Sequence, residues 1–256
     1  MTPKLRIATY NIHKSRGLDG RARPERIAAV LREIDADIVA LQEVLGPGGS
    51  SREGDQVRYL ARQLRGFHCV FGENRKHGEA AYGNAILSRL PIEASRNYDL
   101  TWRGCERRGC LRADVRLPGG EVLHVFNVHL GTAFLERRAQ GRVLTANIVR
   151  SRLRGPRVVL GDFNEWTRGL ASRLLAADLE PIDVRRFRAS ARTYPGVLPM
   201  LQLDHMYYDR ALELEHFVLH KNRRALVASD HLPMVAEFRL SVQSGERPPQ
   251  RAAARG

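Results

Sequence analysis

Short apolar runs rich in β-branched residues alternate along the chain with amphipathic stretches, and the two periods separate strands from helices. Apolar runs predict strands over 5–10, 37–41, 67–71, 84–88, 111–117 and 122–128, with later ones over 157–160, 203–208 and 235–240. Pro24 suits the first turn of a helix on which Ile27, Ala28, Val30, Leu31 and Ile34 recur at helical spacing. A second helix over 56–64 gathers Val57, Leu60, Ala61 and Leu64 on one face. A long basic helix is expected over 134–153 and a short one over 170–177. Leu117-Pro118-Gly119-Gly120 turns one strand into the next, which makes that pair antiparallel. Helices alternate with strands in places and hairpins interrupt elsewhere, a mixture that predicts sheets packed on each other with helices outside. No repeat and no linker-like break interrupts the chain before Leu240. The expected organisation is one domain over 1–241 and a disordered basic tail over 242–256, where Pro, Arg, Ala and Gly crowd without periodicity.

Composition narrows the class. Of the 256 residues, 43% are hydrophobic and 27% charged, which excludes disorder for the bulk of the chain and suffices for a sizeable core. The longest uncharged stretch near the middle, 122–135, holds Asn127 and two histidines and is too short to cross a bilayer. No apolar leader follows Met1, so the expected location is cytoplasmic. Cys69, Cys105 and Cys110 show no metal spacing and are expected as free thiols, Cys69 as a buried strand residue.

Basic residues number 42 against 28 acidic ones, a net charge of +14. A polyanionic partner, nucleic acid or an anionic lipid surface, explains that excess. Arginine encoded by default in a GC-rich genome explains it equally, since only Lys4, Lys14, Lys76 and Lys221 are lysines and the arginines are spread along the whole chain.

Chemistry concentrates where the apolar runs stop. Asn11, Glu43 and His129 each follow a strand; Asp162 and Asn164 follow another, and Asp204-His205 and Asp230-His231 close two more apolar runs. Singly, each has a bland explanation as a turn former or a surface charge. Recurring at the same structural place, these carboxylates, amides and imidazoles can converge on one rim, bind a hard divalent cation and activate water.

The strings Thr9-Tyr10-Asn11-Ile12-His13, Leu41-Gln42-Glu43-Val44, Tyr82-Gly83-Asn84-Ala85-Ile86-Leu87-Ser88 and Asn127-Val128-His129-Leu130 come first in the chain. Gly161-Asp162-Phe163-Asn164, Leu203-Asp204-His205-Met206 and Ser229-Asp230-His231-Leu232-Pro233 follow. In that order they resemble the endonuclease/exonuclease/phosphatase superfamily, the DNase I-like fold, over residues 5 to 240, in the compact form of its small stand-alone bacterial members. The resemblance implies an α/β four-layer α/β/β/α sandwich, two packed mixed sheets flanked by helices, and a metal-dependent phosphoesterase. It further implies that Glu43 is the principal Mg²⁺ ligand (Mn²⁺ being the alternative), assisted by Asn11, with Asp230 a second acidic position near the metal. Asp162 matches the residue that orients or deprotonates the attacking water, and Asn164 the one that holds the scissile phosphate. His231, paired with Asp204, matches the histidine facing that phosphate; His129 matches a further phosphate-facing position, and Asn84 a polar contact beside it.

One position departs from a frequent pattern. Two residues after Asn11 many DNA-repair members carry an acidic ligand, whereas this chain has His13. An abasic-site repair role is therefore not expected, and His13, Lys14 and Arg16 are free to meet substrate phosphate. Arg107 or its neighbour Arg108 offers a guanidinium fork for phosphate, Arg107 being the expected contact, or is simply a solvated loop residue. Trp166, more than Trp102, is placed for base stacking, with packing the alternative. Arg137, Arg138, Arg142, Arg150, Arg152 and Arg154 on the basic helix read mostly as a solvated outer face.

The expected function is a monomeric Mg²⁺-dependent phosphodiesterase acting by water attack, with a nuclease acting on DNA or RNA favoured. The alternative is an enzyme acting on an anionic phospholipid or phosphoinositide at a membrane periphery, and a non-catalytic phosphate-binding module is the third reading. An exposed apolar loop at the active rim favours lipid, and a continuous basic groove favours nucleic acid.

Overall fold

The computed structural model describes residues 4–48, 55–187 and 192–240. The tail expected at 242–256 lies outside the described residues. In chain order the strands are β1 (Lys4–Asn11), β2 (Ile38–Leu45), β3 (His68–His77), β4 (Ala80–Ser88), β5 (Ile92–Asp99) and β6 (Gly109–Arg116). They continue with β7 (Val122–His129), β8 (Arg157–Asp162), β9 (Glu180–Pro181), β10 (Asp204–Tyr208), β11 (Leu212–Leu219) and β12 (Met234–Leu240). The helices are α1 (Pro24–Ile34), α2 (Gln56–Gln63), α3 (Phe134–Val143), α4 (Leu170–Leu175) and α5 (Arg223–Ala228).

One six-stranded sheet runs β11-β12-β1-β2-β4-β3 and the other β5-β6-β7-β8-β10-β9. Both are mixed: β1 pairs parallel with β2 and β7 with β8, and the remaining ladders are antiparallel. Strand alternation assigns side chains to layers. On β1, Leu5 and Ile7 face the other sheet, where they meet Val125, Leu160 and Met206, while Ala8 and Tyr10 face Ile27, Val30, Leu31 and Ala228 of α1 and α5. A third core lies beneath α3 and α4, built on Phe126, Val159, Phe163 and Tyr207. Three apolar layers between four layers of backbone make this the α/β/β/α sandwich that the sequence led us to expect.

The inter-sheet layer turns polar near one end. Gln42 Nε2 reaches Thr9 Oγ1 at 3.1 Å and Asn127 Oδ1 at 2.7 Å, and Asn127 Nδ2 donates to the carbonyls of Leu41 and Ala85, both at 2.8 Å. Asn84 adds bonds to the carbonyls of Gly109 and Asn127. An unmet bond in such a buried network costs about 1–3 kcal/mol, so the network fixes how one sheet sits on the other.

Several expectations need correction. The helix expected over 134–153 ends as α3 at Val143, and a π-helical turn, Leu144–Val149, follows. β-branched Thr145, Ile148 and Val149 disfavour a regular helix, and Gly155, at φ +118°, followed by Pro156 cannot continue one. The strand expected over 67–71 extends as β3 to His77, and β3 is an edge strand, so Cys69 is exposed rather than buried. β5, β11 and α5 were not anticipated; β5 is an edge strand of mostly exposed residues and so lacks an apolar signature.

Candidate active site

Polar side chains from both sheets meet at the end of the sandwich where β1, β2, β7 and β8 finish. In the second sheet, registry sets Gly109, His129, Asp162 and Asp204 side by side across β6, β7, β8 and β10. Gly161 allows this row to form: at its φ of +139° a Cβ would stand 2.0 Å from the Val128 carbonyl oxygen. In the first sheet, a bulge in β2 between Leu41 and Val44 leaves Glu43 with φ +55°. A non-glycine residue in this region carries a cost of order 1–3 kcal/mol, and here it re-aims a carboxylate at the rim. His13, Lys14 and Ser15 also have positive φ, which turns the chain back over Glu43.

Asp162 is the centre of the constellation and is 2% exposed. Its Oδ1 accepts the Asn164 amide at 2.9 Å. Its Oδ2 accepts Asn11 Nδ2 at 3.0 Å and lies 3.6 Å from His129 Nε2 and 3.8 Å from His231 Nε2. His231 Nδ1 binds Asp204 Oδ2 at 2.8 Å, which aims Nε2 at Asp162. Asn11 Nδ2 also reaches Glu43 Oε1 at 3.2 Å, and Lys14 Nζ holds Glu43 Oε2 at 2.8 Å. Arg108 Nη1 lies 3.2 Å from His129 Nδ1.

The charges follow from this packing. Burial disfavours the His231 imidazolium, but Asp204, Asp162 and Asp230 outweigh it and push the pKa up to about 10. His129 moves the opposite way, down to about 4, through burial and the Arg108 charge, against the pull of Asp162 and Glu43. Burial raises the Asp162 carboxyl, with the two histidines opposing. Burial also opposes ionisation of Glu43, yet the fields of His129 and Lys14 and hydrogen bonds from Lys14 and Asn11 hold it well below the usual carboxylate range. Since His129 is neutral at pH 7, Lys14 supplies the standing positive charge beside Glu43.

Asn11, Glu43, His129, Asp162, Asp204 and His231 thus share one pocket, with Asn164 at its edge donating Nδ2 to the Leu130 carbonyl at 2.9 Å. Two expected contacts, Asn84 and Arg107, sit elsewhere, while Asp230 stands at the rim beside His231. Asn84 is fully buried and gives its amide to two backbone carbonyls behind the pocket. Asp230 lies 3.6 Å from His13 Nδ1 and 3.3 Å from Ser229 Oγ. Arg107 is exposed, and the guanidinium that enters is that of Arg108, 7% exposed on its way into β6. Lys14 as the partner of Glu43 was missed as well, because only the left-handed turn brings it there. A cavity of about 860 Å³ beside Trp166, lined among others by Arg173, His205 and Met206, contains none of these site residues in its lining.

Among the described residues no three His, Cys, Asp or Glu side chains form a metal cage. Glu43 nevertheless suits one kind of ion. It is an ionised carboxylate at a partly open rim, already carrying a cation on Oε2, with the Asn11 amide adjacent. Mg²⁺ binds through one or two carboxylates, retains waters and takes substrate phosphate oxygens, so this donor set fits it; Mn²⁺ fits by the same chemistry.

Residues 8–231 match the family described as the Endonuclease/Exonuclease/phosphatase family. The chain is 34% identical over 245 residues to the "Uncharacterized protein YbhP" of Escherichia coli (strain K12), covering 92% of this chain and 96% of that protein. The crystal structure of an endonuclease/exonuclease/phosphatase from Beutenbergia cavernae superposes with a TM-score of 0.75 at 27% identity, over 93% of this chain and 72% of that one. D. rerio TDP2, solved with a single strand DNA product, shares the fold with a TM-score of 0.72 at 19% identity, over 92% and 98% of the two chains.

Proposed function

The chain belongs to the endonuclease/exonuclease/phosphatase family, and on that premise we propose that it hydrolyses phosphodiester bonds by attack of a water molecule held at Asp162. The observation that carries this reading is the single oxygen of Asp162 shared by Asn11, His129 and His231, with Glu43 one hydrogen bond further on. Glu43 and Asn11 would hold a divalent cation, Mg²⁺ or Mn²⁺, which when bound would supply Lewis acidity toward a phosphate oxygen. Asp162, its pKa raised by burial, is suited to orient the water and accept its proton. His231 stays cationic through neutral pH and donates from Nε2 to a phosphate oxygen, while Asp204 fixes its tautomer. Neutral His129 with Arg108 adds donors on the other side, and Asn164 steadies Asp162 through its backbone amide.

The substrate expectation divides. Net charge and the similarity to the TDP2 fold support nucleic acid. The exposed Trp166, Leu198 and Met200 near the rim support a lipid phosphodiester, and on that observation we favour the lipid. A soluble bis-aryl phosphodiester assayed with Mg²⁺ and then with a chelator tests the chemistry common to both. Turnover should require the metal and fall about 10²–10⁴-fold in Glu43→Ala or His231→Ala, with the far-UV spectrum unchanged. Turnover that survives both substitutions overturns the assignment.

A further inference from the structure

Exposed large apolar side chains crowd at the pocket end of the molecule. Leu18 follows β1, Phe134 and Leu135 follow β7, and Trp166 follows β8. Val197, Leu198 and Met200 precede β10, which runs antiparallel to β8, and Val227 precedes β12, antiparallel to β1. Strand direction therefore brings all of them out at the same end. Backbone bonds tie the segments together, Leu18 to Val227 at 3.4 Å and Gly196 to Asp230 at 2.6 Å. Val143, on the outer helix α3, is the exception among the described residues. The turns at the opposite end, such as 35–37, 89–91, 117–121 and 209–211, expose no large apolar side chain. Trp166 at 67%, Leu198 at 65% and Phe134 at 63% exposure are costly to leave in water, and a one-sided cluster around a pocket marks a docking face.

The charge at this end says what docks. Arg16, Arg107 and Arg168 are exposed there, with no carboxylate within 4 Å among the described residues. Arg138 lies over the Phe134 ring, 5.5 Å from its centroid. Two acids at this end are already matched, Asp19 by Arg26 and Glu106 by Arg75 and Arg108. Cations left over beside apolar tips are the signature of a surface that settles at the boundary between anionic headgroups and acyl chains. Nucleic acid also takes up the cations, but it meets side chains by stacking on aromatic faces. Here most of the apolar tips are aliphatic, and those have no face to stack on.

We infer that this end docks on an anionic phospholipid surface, with Trp166, Leu198 and Met200 entering the headgroup boundary and the unmatched arginines meeting lipid phosphates. The substrate is then a phosphodiester that the bilayer presents to the pocket, which rests on the proposed hydrolysis. Docking itself does not.

The test is co-sedimentation with vesicles of phosphatidylglycerol mixed with phosphatidylcholine, against phosphatidylcholine alone, with tryptophan emission followed in parallel. The full chain should bind the anionic vesicles with a blue-shifted emission and leave the neutral ones unbound. Leu198→Ser/Met200→Ser should weaken binding about tenfold while keeping its far-UV spectrum and melting point. Trp166→Ser, as an independent variant, should weaken binding and remove the shift. Glu43→Gln should bind vesicles like the parent, so loss of hydrolysis and loss of docking read out separately. Failure to bind anionic vesicles, or undiminished binding by both apolar variants, overturns the inference. So does a vesicle-free dimer abolished by Leu198→Ser/Met200→Ser, which makes a second copy the occupant. Displacement by a single-stranded oligonucleotide that loses affinity for the same variants assigns the face to nucleic acid and overturns it equally.

Discussion

Replacing Asp204 by asparagine tests the electrostatics of the pocket at its strongest point. Asp204 and His231 are almost wholly buried and joined at 2.8 Å, and the imidazole is lifted from 6.5 to about 10. A displacement of that size corresponds to roughly 5 kcal/mol of preference for the imidazolium in the folded protein. Because the folded value lies above the unfolded one, this stability is complete below pH 6.5 and is lost as the pH rises through about 10. The amide introduced by Asp204→Asn keeps the shape and accepts the Nδ1 proton, but removes the charge, so burial then favours neutral imidazole. At pH 7 the variant should lose about 3 kcal/mol or more in urea unfolding, in the range seen when a buried pair loses one partner. The gap between parent and variant should close toward pH 10, since titrations common to both cancel in the difference. A gap of constant size across that interval refutes the pairing as its origin, even if the variant is inactive.

Two further outcomes follow from neighbouring groups. Arg108→Ala should let His129 titrate nearer its ordinary value than about 4, read by imidazole proton shifts. Since His129 is depressed in the folded state, its contribution is present above pH 6.5 and lost as pH falls through about 4, and the variant should lose less of it. Gln42→Leu should cost about 1–3 kcal/mol in urea unfolding by leaving the Asn127 Oδ1 acceptor unmet, and an unchanged midpoint counts against the inter-sheet network.

The sandwich was legible because its central strands are buried on both faces, so Ile38-Val39-Ala40-Leu41 and Val158-Val159-Leu160 show as continuous apolar runs. The site was legible at the points where those runs stop, since Asn11, His129 and Asp162 are the last residues of β1, β7 and β8. Edge strands hid themselves: β5 is exposed and polar, and the outer half of β3 carries Glu73, Asn74, Arg75 and Lys76. Arg107 and Arg108 are alike in a sequence, and only the onset of β6 at Gly109 turns the second inward. The three left-handed residues that carry Lys14 onto Glu43 contain no glycine to announce them. Cys69 was misread because an apolar neighbourhood does not say whether a strand is central or outermost.

The two sheets draw on the chain unequally. β5 to β10 form one sheet from a continuous middle stretch, whereas the other joins β1 through β4 to β11 and β12. His231 comes just ahead of β12, the strand that lies against β1. A ribosome making this protein therefore exposes Glu43, His129 and Asp162 long before His231 has been synthesised. The pocket is assembled only when the last strand closes against the first, so a nascent or prematurely terminated product holds the parts without the arrangement.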